Sequence, residues 1–589
     1  MSYRTNHCGA LRKADSGARV TLCGWVDSRR DHGGVVFIDL RDRNGITQVV
    51  FRPEAHPDAA ALAHGLRSED VVQVSGTVSP RLAGTENLKL ATGEIEVVAD
   101  ELTILNKADV LPFPMGEESV GEDLRLEHRY LDLRRPEMVR NLTMRHKITK
   151  ATRDYFDAQG FLEIETPLLS KSTPEGAREF LVPSRIFPGS FYALSQSPQQ
   201  YKQLLMVGGV ERYFQIAKCF RDEDPRADRI TELTQIDVEV SFATEEEIFS
   251  LVEGLLARIF KIALGADVSR PFPRLTYQEA MDRYGIDKPD RRFGMELVAL
   301  DDVFRESQFK VFRSAIESGG VVKAINAKGF ANITAGQIEH LTEIARQSGA
   351  RGLAFIKVEG GEWKSPIVKF FSEAEKSALA SRLRIEEGDL LLFGADQWEV
   401  VCTVLGRIRL RVAEIIGLNE NSSALEFLWV VDFPLLAYSA DEQKWNAVHH
   451  PFTRPKGEDL HWLEAGEFAK VRAQAYDVVL NGVEIGGGSI RIHERDLQAR
   501  VFEVLGIPPD KQQLLFQHLL KAFRFGAPPH GGIALGVDRL VMLAAGTDNI
   551  RDVVAFPKNN RGEDLMMGSP TPAEPRQLRE LGLQILRKP

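Results

Sequence analysis

Cysteine is scarce in this sequence, with four residues in a chain of 589. Cys8, Cys23, Cys219 and Cys402 are widely separated and form no C-x-x-C pair. A disulfide framework and a structural zinc site are therefore not expected. The sequence also has no apolar run of about 18 residues, so a transmembrane helix is excluded. The amino-terminal segment lacks the apolar core of a secretory signal. These absences predict a soluble, cytoplasmic protein with no membrane partner.

An excess of positive charge is missing as well. Lys and Arg number 74 against 84 Asp and Glu, which gives a formal net charge of -10. This balance argues against a protein that coats nucleic acid through bulk charge, but it leaves recognition through a local patch possible. The content of 43% hydrophobic and 27% charged residues is typical of a globular protein. A chain of this length is expected to form several domains.

The first hundred residues predict a small β-barrel. Asn44-Gly45 is a strong hairpin signal between two β-rich runs. A polar stretch rich in helix formers at 58–68 separates the earlier strands from the later ones. The predicted strands are 20–26, 35–40, 46–51, 71–78, 88–90 and 95–98. Several strands with one helix after the third are the order expected of an oligonucleotide-binding (OB) barrel, which we assign to 1–105.

Local charge favours a nucleic-acid surface on this barrel. Between residues 10 and 52, eight Lys and Arg exceed five Asp, although the whole chain is acidic. Trp25, Phe37 and Phe51 are interleaved with these cations, so that cations can hold phosphates while an exposed ring stacks on a base. A β-domain without a ligand remains the alternative, because alternation does not show which rings are buried.

The remaining chain divides into a connector and two interleaved modules. Pro112 and Pro114 mark a polar linker at 106–140. A helical pattern at 141–159 stops at Gly160, a strand at 161–165 closes at Pro167, and strands at 213–218 and 234–242 flank a charged loop. Residues 289–421 have their own α/β pattern and end in a polar run. They are therefore predicted to be an insertion between the two parts of one domain, 141–288 and 422–589.

Three segments carry residues suited to phosphate and carboxylate chemistry. In the charged loop 219–229, Arg221 can hold an anion bidentately and Glu223 can accept from an amine, although a solvated hairpin tip is the alternative. In 481–491, three consecutive glycines permit close backbone approach. There, acidic groups can hold magnesium and Arg491 an anion, and a plain turn is the alternative.

The third segment, 531–543, predicts a strand that passes into a helix through glycine. Arg539 then lies near the helix start, where backbone N–H groups favour an anionic phosphate. The segment contains neither G-K-[ST] nor G-x-G-x-x-G, so it is neither a P-loop nor a dinucleotide fingerprint.

In this order, with Pro167 upstream, the three segments resemble the three motifs of class II aminoacyl-tRNA synthetases. Residues 195–204 and 220–223 are similar to the aspartyl, asparaginyl and lysyl subgroup. Residues 172–178, the run His449-His450-Pro451-Phe452 and the insertion resemble the bacterial-type aspartyl family. The resemblance implies an α+β multidomain fold with an anticodon-binding OB-fold barrel, a hinge, an antiparallel-sheet catalytic domain, an inserted α/β (GAD-type) domain and a homodimer. Pro167 would lie at the dimer interface.

The same resemblance implies a reaction and its site residues. Family members join aspartate to ATP, with Mg²⁺, and transfer the aspartyl group to the 3′ end of a tRNA. The implied catalytic residues are Arg221, Glu223 and Arg539, and the implied magnesium ligands are Asp477 and Glu484. The implied ATP contacts are Arg221, Asp222, Glu223, Glu484, Gly536, Val537, Asp538 and Arg539. The implied aspartate contacts are Glu175, Ser197, Gln199, Lys202, Arg221, Asp237, His449, His450 and Arg491.

Positions in the barrel resemble the family's anticodon contacts. These are Arg30, Phe37, Gln48, Arg81 and Glu96. His32 and Gly84 resemble the non-discriminating subtype, which charges tRNA(Asn) as well as tRNA(Asp). A strictly discriminating enzyme, an asparaginyl or lysyl synthetase, and a non-catalytic RNA-binding paralogue are the alternatives. The Lys202/Arg491 pair argues against the asparaginyl and lysyl enzymes, since a cationic pocket suits neither an amide nor an ammonium group.

Overall fold

The computed structural model describes residues 2–116, 119–172, 178–224, 226–419 and 424–586. The described residues fall into two compact units. The first comprises the chain up to Arg140 together with Asp564–Gly568, and the second comprises the remainder. The domain limits inferred from the sequence stay predictions. No helix in the described ranges is both long and apolar enough to cross a bilayer.

The first unit contains a closed five-stranded barrel with strand order β1-β2-β3-β5-β4, which confirms the predicted OB-type fold. Its core is made of aliphatic side chains that alternate along the strands, such as Val26, Ile38 and Val74. Asn44 and Gly45 form the predicted hairpin turn between β2 and β3. The elements are β1 (Arg19–His32), β2 (Val35–Asp42), β3 (Gly45–Phe51), α1 (Pro57–His64), β4 (Val71–Pro80) and β5 (Ile95–Asn106).

The strand predicted at 88–90 is wrong. This segment is a turn in which Leu88 is 95% exposed. Asn87 holds it, because its side-chain Oδ1 accepts from the Lys89 backbone N–H and its carbonyl oxygen accepts from that of Leu90. Hydrogen bonds between an asparagine and its neighbouring backbone compete with strand pairing and favour a turn. The two leucines of the segment led to the strand prediction instead.

The connector after the barrel is helical and charge-paired. Arg134 donates to Glu69 of the barrel at 2.8 Å and lies over the Trp25 ring at 5.0 Å. The buried carboxylate of Asp132 accepts hydrogen bonds from Arg125 and Arg129 at 2.9 and 2.6 Å. Pairing of this kind makes the connector part of the first unit. Its helices are α2 (Glu122–Glu127) and α3 (Arg129–Asp132), and α4 (Pro136–Ala158) leads into the second unit.

The second unit is built on an eight-stranded sheet of order β12-β18-β21-β22-β23-β11-β10-β6. All neighbours are antiparallel except β6–β10 and β12–β18. The sheet confirms the predicted antiparallel catalytic core. Its strands and those before the insertion are β6 (Leu162–Glu163), β7 (Leu169–Ser170), β8 (Leu181–Pro183), β9 (Phe191–Leu194), β10 (Arg212–Phe220), β11 (Glu232–Ser241) and β12 (Arg274–Thr276). The helices of this part are α5 (Gln199–Val207), α6 (Glu245–Leu264) and α7 (Tyr277–Tyr284).

The segment predicted to be an insertion contains a five-stranded antiparallel sheet, β13-β14-β17-β15-β16, with a hydrophobic cluster on each face. It joins the core by a close backbone contact, since a Cβ on Gly406 would lie 2.3 Å from the Gly285 carbonyl oxygen. Its strands are β13 (Val298–Ala299), β14 (Val321–Ala327), β15 (Ala354–Glu359), β16 (Glu362–Lys364) and β17 (Leu390–Asp396). Its helices are α8 (Asp301–Phe304), α9 (Lys310–Glu317), α10 (Ala335–Gln347), α11 (Glu373–Leu383) and α12 (Trp398–Ile416).

The last part of the chain completes the central sheet. A strand, β23, passes directly into a helix, α16, as predicted from the third glycine-containing segment. The strands are β18 (Phe427–Val431), β19 (Leu436–Ser439), β20 (Lys444–Ala447), β21 (Ala475–Leu480), β22 (Val483–Ile490) and β23 (His530–Gly536). The helices are α13 (Leu460–Ala465), α14 (Arg495–Val504), α15 (Pro509–Ala522), α16 (Val537–Ala545) and α17 (Pro575–Glu580).

Candidate active site

A cleft of about 660 Å³ lies over the central sheet, and residues far apart in the sequence line it. It brings together side chains from α5, β11, β22 and the start of α16, as expected where several strands present one face. The predicted site residues that line it are Ser197, Gln199, Lys202, Arg221, Glu223, Asp237, His449, His450, Asp477, Glu484, Arg491, Gly536, Asp538 and Arg539.

Two predicted contacts, Asp222 and Val537, are not among the residues that line the cleft. Asp222 is exposed, and Val537 is fully buried in the hydrophobic core. Glu175 lies outside the described residues. Asp538 lines the cleft, but Arg145 and the Thr234 backbone N–H already bind its two carboxylate oxygens at 2.6 and 2.8 Å. Its geometry therefore fits a residue that fixes α16. The predicted ATP contacts at Asp538 and Val537 stay predictions, and the buried Val537 side chain leaves only its backbone for such a contact.

The three glycines at 486–488 lie inside β22, not in a turn. A Cβ on Gly488 would lie 2.2 Å from the Gly532 carbonyl oxygen, and one on Gly487 would lie 2.5 Å from Asp477 Oδ1. Glycine is therefore required for close strand packing and for the space that the Asp477 carboxylate occupies. The alternative of a plain turn is excluded.

Two cations and two carboxylates are buried together on the floor of the cleft. Lys202 Nζ donates to Asp237 Oδ1 at 2.7 Å and lies 3.3 Å from Glu239 Oε2. Arg491 binds Glu239 bidentately at 2.9 and 3.1 Å. The sequence reasoning missed Glu239, although it lies two residues after Asp237 on a predicted strand and therefore on the same face. Two acidic residues at that spacing on one strand were the sequence signal that could have identified Glu239 as a site residue.

Arg491 is almost fully engaged by the protein. Besides Glu239, it donates through Nη1 to Ser489 Oγ at 2.6 Å and to His450 Nε2 at 2.7 Å. Four of its five N–H groups are used in this way, which leaves one on Nη2. Burial, followed by the charge of Arg491, places the pKa of His450 well below the ordinary value, so His450 is neutral and accepts.

The two buried carboxylates, Asp237 and Glu239, have pKa shifts of opposite sign. Burial raises the pKa of Asp237, and nearby Lys202 offsets this only in part. Burial would also raise the pKa of Glu239, but the charges of Arg491 and Lys202 outweigh it and hold that pKa below its usual value. Asp237 Oδ2 is buried and has no hydrogen-bond partner among the described residues. It is the acceptor that the protein leaves for a ligand.

An acidic group lies on one side of the cleft. Asp477 and Glu484 approach the same glycine, and His449 Nε2 lies 3.5 Å from Asp477 Oδ1. Burial and the charge of Asp477 raise the pKa of Glu484. Burial disfavours the His449 imidazolium, but Asp477 and the other nearby carboxylates outweigh it and raise the pKa of His449. In the parts of the chain that are described, no three His, Cys, Asp or Glu side chains form a complete metal cage.

Arginines also line the cleft. Glu223 pairs with Arg229 at 2.8 Å, and Arg539 donates to the Glu484 carbonyl oxygen at 2.9 Å and lies 3.6 Å from Asp228. The Arg221 side chain forms no hydrogen bond or ion pair with a described residue. Arg221 is therefore a cation in the cleft that remains available for a ligand.

A second polar cluster lies on the barrel. Arg30 donates to Asp39 at 3.1 and 3.0 Å, and Gln48 donates to Glu96 at 2.9 Å. Arg81 donates to the Ile95 carbonyl oxygen at 3.0 Å, and its Nη2 is buried without a partner among the described residues. Asp39, which the sequence reasoning did not select, holds the Arg30 guanidinium in this cluster.

His32 and Gly84, the two positions that resemble the non-discriminating subtype, take no part in these hydrogen bonds. The His32 ring contacts the Phe37 ring edge-on at 5.9 Å. Gly84 has φ +85°, and a Cβ there would meet no atom within 4 Å. A side chain at position 84 therefore has space, but the left-handed backbone opposes it.

Comparison with known proteins assigns the family. The family of class II tRNA synthetases (D, K and N) matches residues 121–560, which is most of the chain. The chain belongs to the class II aminoacyl-tRNA synthetases. The OB-fold nucleic acid binding domain family matches residues 20–105. Membership in the synthetase family makes the chain an ATP-dependent ligase.

Curated relatives are similar over almost the entire chain. An aspartate–tRNA(Asp/Asn) ligase of Opitutus terrae is 56% identical over 590 residues, covering 99% of both chains. An aspartate–tRNA ligase of Geobacillus kaustophilus is 54% identical over 585 residues, again with 99% of each covered. An aspartate–tRNA(Asp/Asn) ligase of Aquifex aeolicus is 51% identical, covering 99% of this chain and 98% of the relative.

Solved structures share the fold at low identity. An asparaginyl-tRNA synthetase from Pyrococcus horikoshii with asparaginyl-adenylate gives a TM-score of 0.58 at 19% identity, covering 94% of this chain and 97% of the other. An aspartyl-tRNA synthetase from Entamoeba histolytica gives 0.55 at 20% identity, covering 93% and 90%. At this identity the likeness supports the fold and leaves the substrate to be argued from the site.

Proposed function

We propose that this synthetase is an aspartate–tRNA ligase that charges tRNA(Asp) and also tRNA(Asn). It joins L-aspartate to ATP, giving aspartyl-adenylate and pyrophosphate, and then transfers the aspartyl group to the tRNA 3′ end. We propose that it acts in the cytoplasm, where its tRNA substrates are used in translation. The observation that carries the proposal is the buried Lys202–Arg491 pair, together with relatives over 50% identical that are named aspartate–tRNA ligases.

The remaining donors of the buried pair fit a side-chain carboxylate. Lys202 has three N–H groups and contacts Asp237 and Glu239, so one is left, and Arg491 has one left on Nη2. The two remaining donors match the two oxygens of a carboxylate. A carboxamide would set its NH₂ group against a donor, so asparagine is disfavoured by the unpaired group.

The acceptors beside this pair fit the substrate's α-ammonium group. Asp237 Oδ2 is buried and unpaired, and Ser197 and Gln199 line the same part of the cleft. A bound cation would satisfy this oxygen and lower the raised pKa of Asp237. The predicted ninth contact, Glu175, stays a prediction.

The nucleotide side supplies cations where charge develops. The aspartate α-carboxylate attacks the α-phosphorus of ATP, and pyrophosphate leaves with the bonding electron pair. Arg221 is proposed to contact both the carboxylate and the α-phosphate, and Arg539 the γ-phosphate, while Glu223 accepts from the adenine amine. Preorganised cations stabilise this transition state without a protein nucleophile. The 3′-terminal ribose hydroxyl then attacks the carbonyl carbon, and AMP leaves.

Asp477 and Glu484 fit a magnesium ion. Their carboxylates share the space left by Gly487. Burial, followed by the charge of Asp477, raises the pKa of Glu484, and a bound divalent cation would oppose that shift. Mg²⁺ commonly binds one or two carboxylates and takes its other ligands from water and substrate phosphates, so two protein carboxylates are sufficient. When bound, the ion would neutralise phosphate charge.

Aspartate-dependent ATP–pyrophosphate exchange tests the activation step. Exchange is expected with aspartate, and it should stop when EDTA removes the divalent ion. Better exchange with asparagine or lysine would identify a different synthetase, and no exchange with any amino acid would indicate a non-catalytic RNA-binding protein. Aspartylation of both tRNA transcripts tests the relaxed specificity. A rate on tRNA(Asn) below about 1% of the tRNA(Asp) rate would contradict it, since that ratio is the discrimination of a selective site.

Gly84→Lys is expected to make the enzyme more selective. We propose that the absence of a long cation at position 84 leaves C and U at the third anticodon base undistinguished. The lysine should lower kcat/KM for tRNA(Asn) about tenfold more than for tRNA(Asp), the loss that one mismatched contact of about 1.4 kcal/mol produces. Gly84→Ala is the matched control, because it carries the same positive-φ strain without the charge. Equal losses on both tRNAs, or equal effects of the two variants, would contradict the role.

A homodimer is proposed through the surface around Pro167. Pro167 is exposed, and neighbouring apolar side chains are exposed with it, namely Leu162, Leu168, Leu169, Leu181 and Phe191. Several exposed apolar side chains of this kind are typical of an interface between protein chains. Light scattering should therefore give twice the chain mass of 65.8 kDa.

A further inference from the structure

We propose that His530 and Gln203 are positioning residues that orient the Gln199 carboxamide so that its oxygen, not its nitrogen, is offered to the ammonium group of the substrate. This inference deepens the proposed function and rests on it. The three side chains form a buried hydrogen-bond chain from β23 to the wall of the cleft. Neither glutamine carries a charge. The hydrogen-bond chain therefore acts by fixing, for each amide, which neighbour its oxygen faces and which its NH₂ group faces.

The orientation is set first at His530, which is 0% exposed. Its Nδ1 lies 2.7 Å from the Pro528 carbonyl oxygen, which can only accept, so Nδ1 carries the proton. Burial lowers the pKa of His530, and the charge of Glu239 offsets this only in part. The ring is therefore neutral with a single proton, and Nε2 can only accept.

The lone pair on His530 Nε2 fixes the next amide. Gln203 is 0% exposed, and its Nε2 lies 3.2 Å from His530 Nε2. Only the NH₂ end of Gln203 can satisfy that lone pair, because the opposite orientation would set two acceptors against each other. The Gln203 carbonyl oxygen then faces Gln199, whose Nε2 donates to it at 3.2 Å.

Gln199 is left with its carbonyl oxygen as the available group. Gln199 and Gln203 are four residues apart on α5 and therefore share one face of the helix. Gln199 also lines the cleft, and its Oε1 forms no hydrogen bond with a described residue. The oxygen thus joins Asp237 Oδ2 as a second acceptor for an ammonium group. A reversed chain would offer an NH₂ group to the substrate cation, and the two donors would repel.

The test compares aspartate with succinate, which is aspartate without its ammonium group. In Gln203→Met and in His530→Asn the chain is broken, so Gln199 is free to turn over. Aspartate binding, measured as KM in pyrophosphate exchange, is expected to weaken about ten- to a hundredfold, the value of a hydrogen bond to a charged group. The inhibition constant of succinate and the KM for ATP should remain within about twofold, since neither ligand carries that ammonium group.

Gln200→Met is the matched control. Gln200 is buried on the same helix but bonds to His518 at 2.6 Å, outside the chain that leads to Gln199. This variant should leave the ratio of aspartate to succinate affinity unchanged. An equal loss for aspartate and succinate in Gln203→Met or His530→Asn, or no loss for either, would overturn the inference. A wild-type enzyme inactive with aspartate would instead refute the proposed function, so the two failures are distinguishable.

Discussion

Arg491→Met is expected to abolish aspartate activation and to destabilise the protein. The variant removes one of the two donors that we propose for the substrate side-chain carboxylate, and a substrate group that loses its polar partner in a buried site binds much more weakly. We therefore expect kcat/KM for aspartate in pyrophosphate exchange to fall by at least about a thousandfold. It also leaves Glu239, which is 0% exposed, with only the Lys202 contact. An incompletely paired buried charge should lower the free energy of unfolding by about 3 kcal/mol, measured by urea denaturation.

A double variant separates the two consequences. Glu239→Gln/Arg491→Met removes the buried carboxylate together with its partner, so most of the lost stability should return. Activity should not return, because the donor to the substrate is still absent. Recovery of exchange in the double variant would show that Arg491 serves the fold alone. A single variant as stable as the wild type would show that Lys202 is sufficient to compensate Glu239.

The difference between Arg491 and Glu239 shows what the sequence can predict. Arg491 and Arg539 stand in glycine-containing segments whose pattern identifies them, and Arg221 stands in the charged loop 219–229. Glu239 belongs to an ordinary strand, and its role depends on how β11 lies in the same sheet as β22, with β23 between them, and against α5. Alternation puts Asp237 and Glu239 on one face, but no local pattern says that this face meets two cations. Pairing across the sheet is a tertiary property.

Packing also decides which side chains of a motif reach the cleft. Val537 stands between Gly536 and Arg539 in a motif, yet the first turn of α16 directs it into the core. The carboxylate of Asp538 is bound by Arg145 from α4 and by Thr234 from β11, which are 393 and 304 residues away. A motif marks a stretch of chain, and the packing of the helix decides which of its side chains reach the ligand. The turn at Leu88 likewise depends on one asparagine, which outweighs the strand propensity of its neighbours.

Arg221→Ala is expected to lower the rate of adenylate formation without affecting stability. The backbone N–H of Arg221 donates to the Thr231 carbonyl oxygen at 2.9 Å, and the substitution preserves this bond. Its side chain lines the cleft and makes no hydrogen bond or ion pair with a described residue, so folding has little to lose. We propose that it stabilises the charge that moves onto the α-phosphate. Loss of such a donor should reduce kcat for exchange by about a hundred- to a thousandfold.

The partition between kcat and KM is the informative measurement for Arg221. A contact that strengthens as charge develops lowers kcat, whereas one that binds ground state and transition state equally raises KM. Arg226→Ala is the matched control, since Arg226 is an exposed arginine of the same loop that does not line the cleft, and its exchange rate should change less than about twofold. Thermal midpoints of both variants should equal that of the wild type. A higher KM for ATP at unchanged kcat would reduce Arg221 to a substrate-binding residue. An equal loss in Arg226→Ala would show that the general charge of the loop, and not the guanidinium in the cleft, supports the reaction.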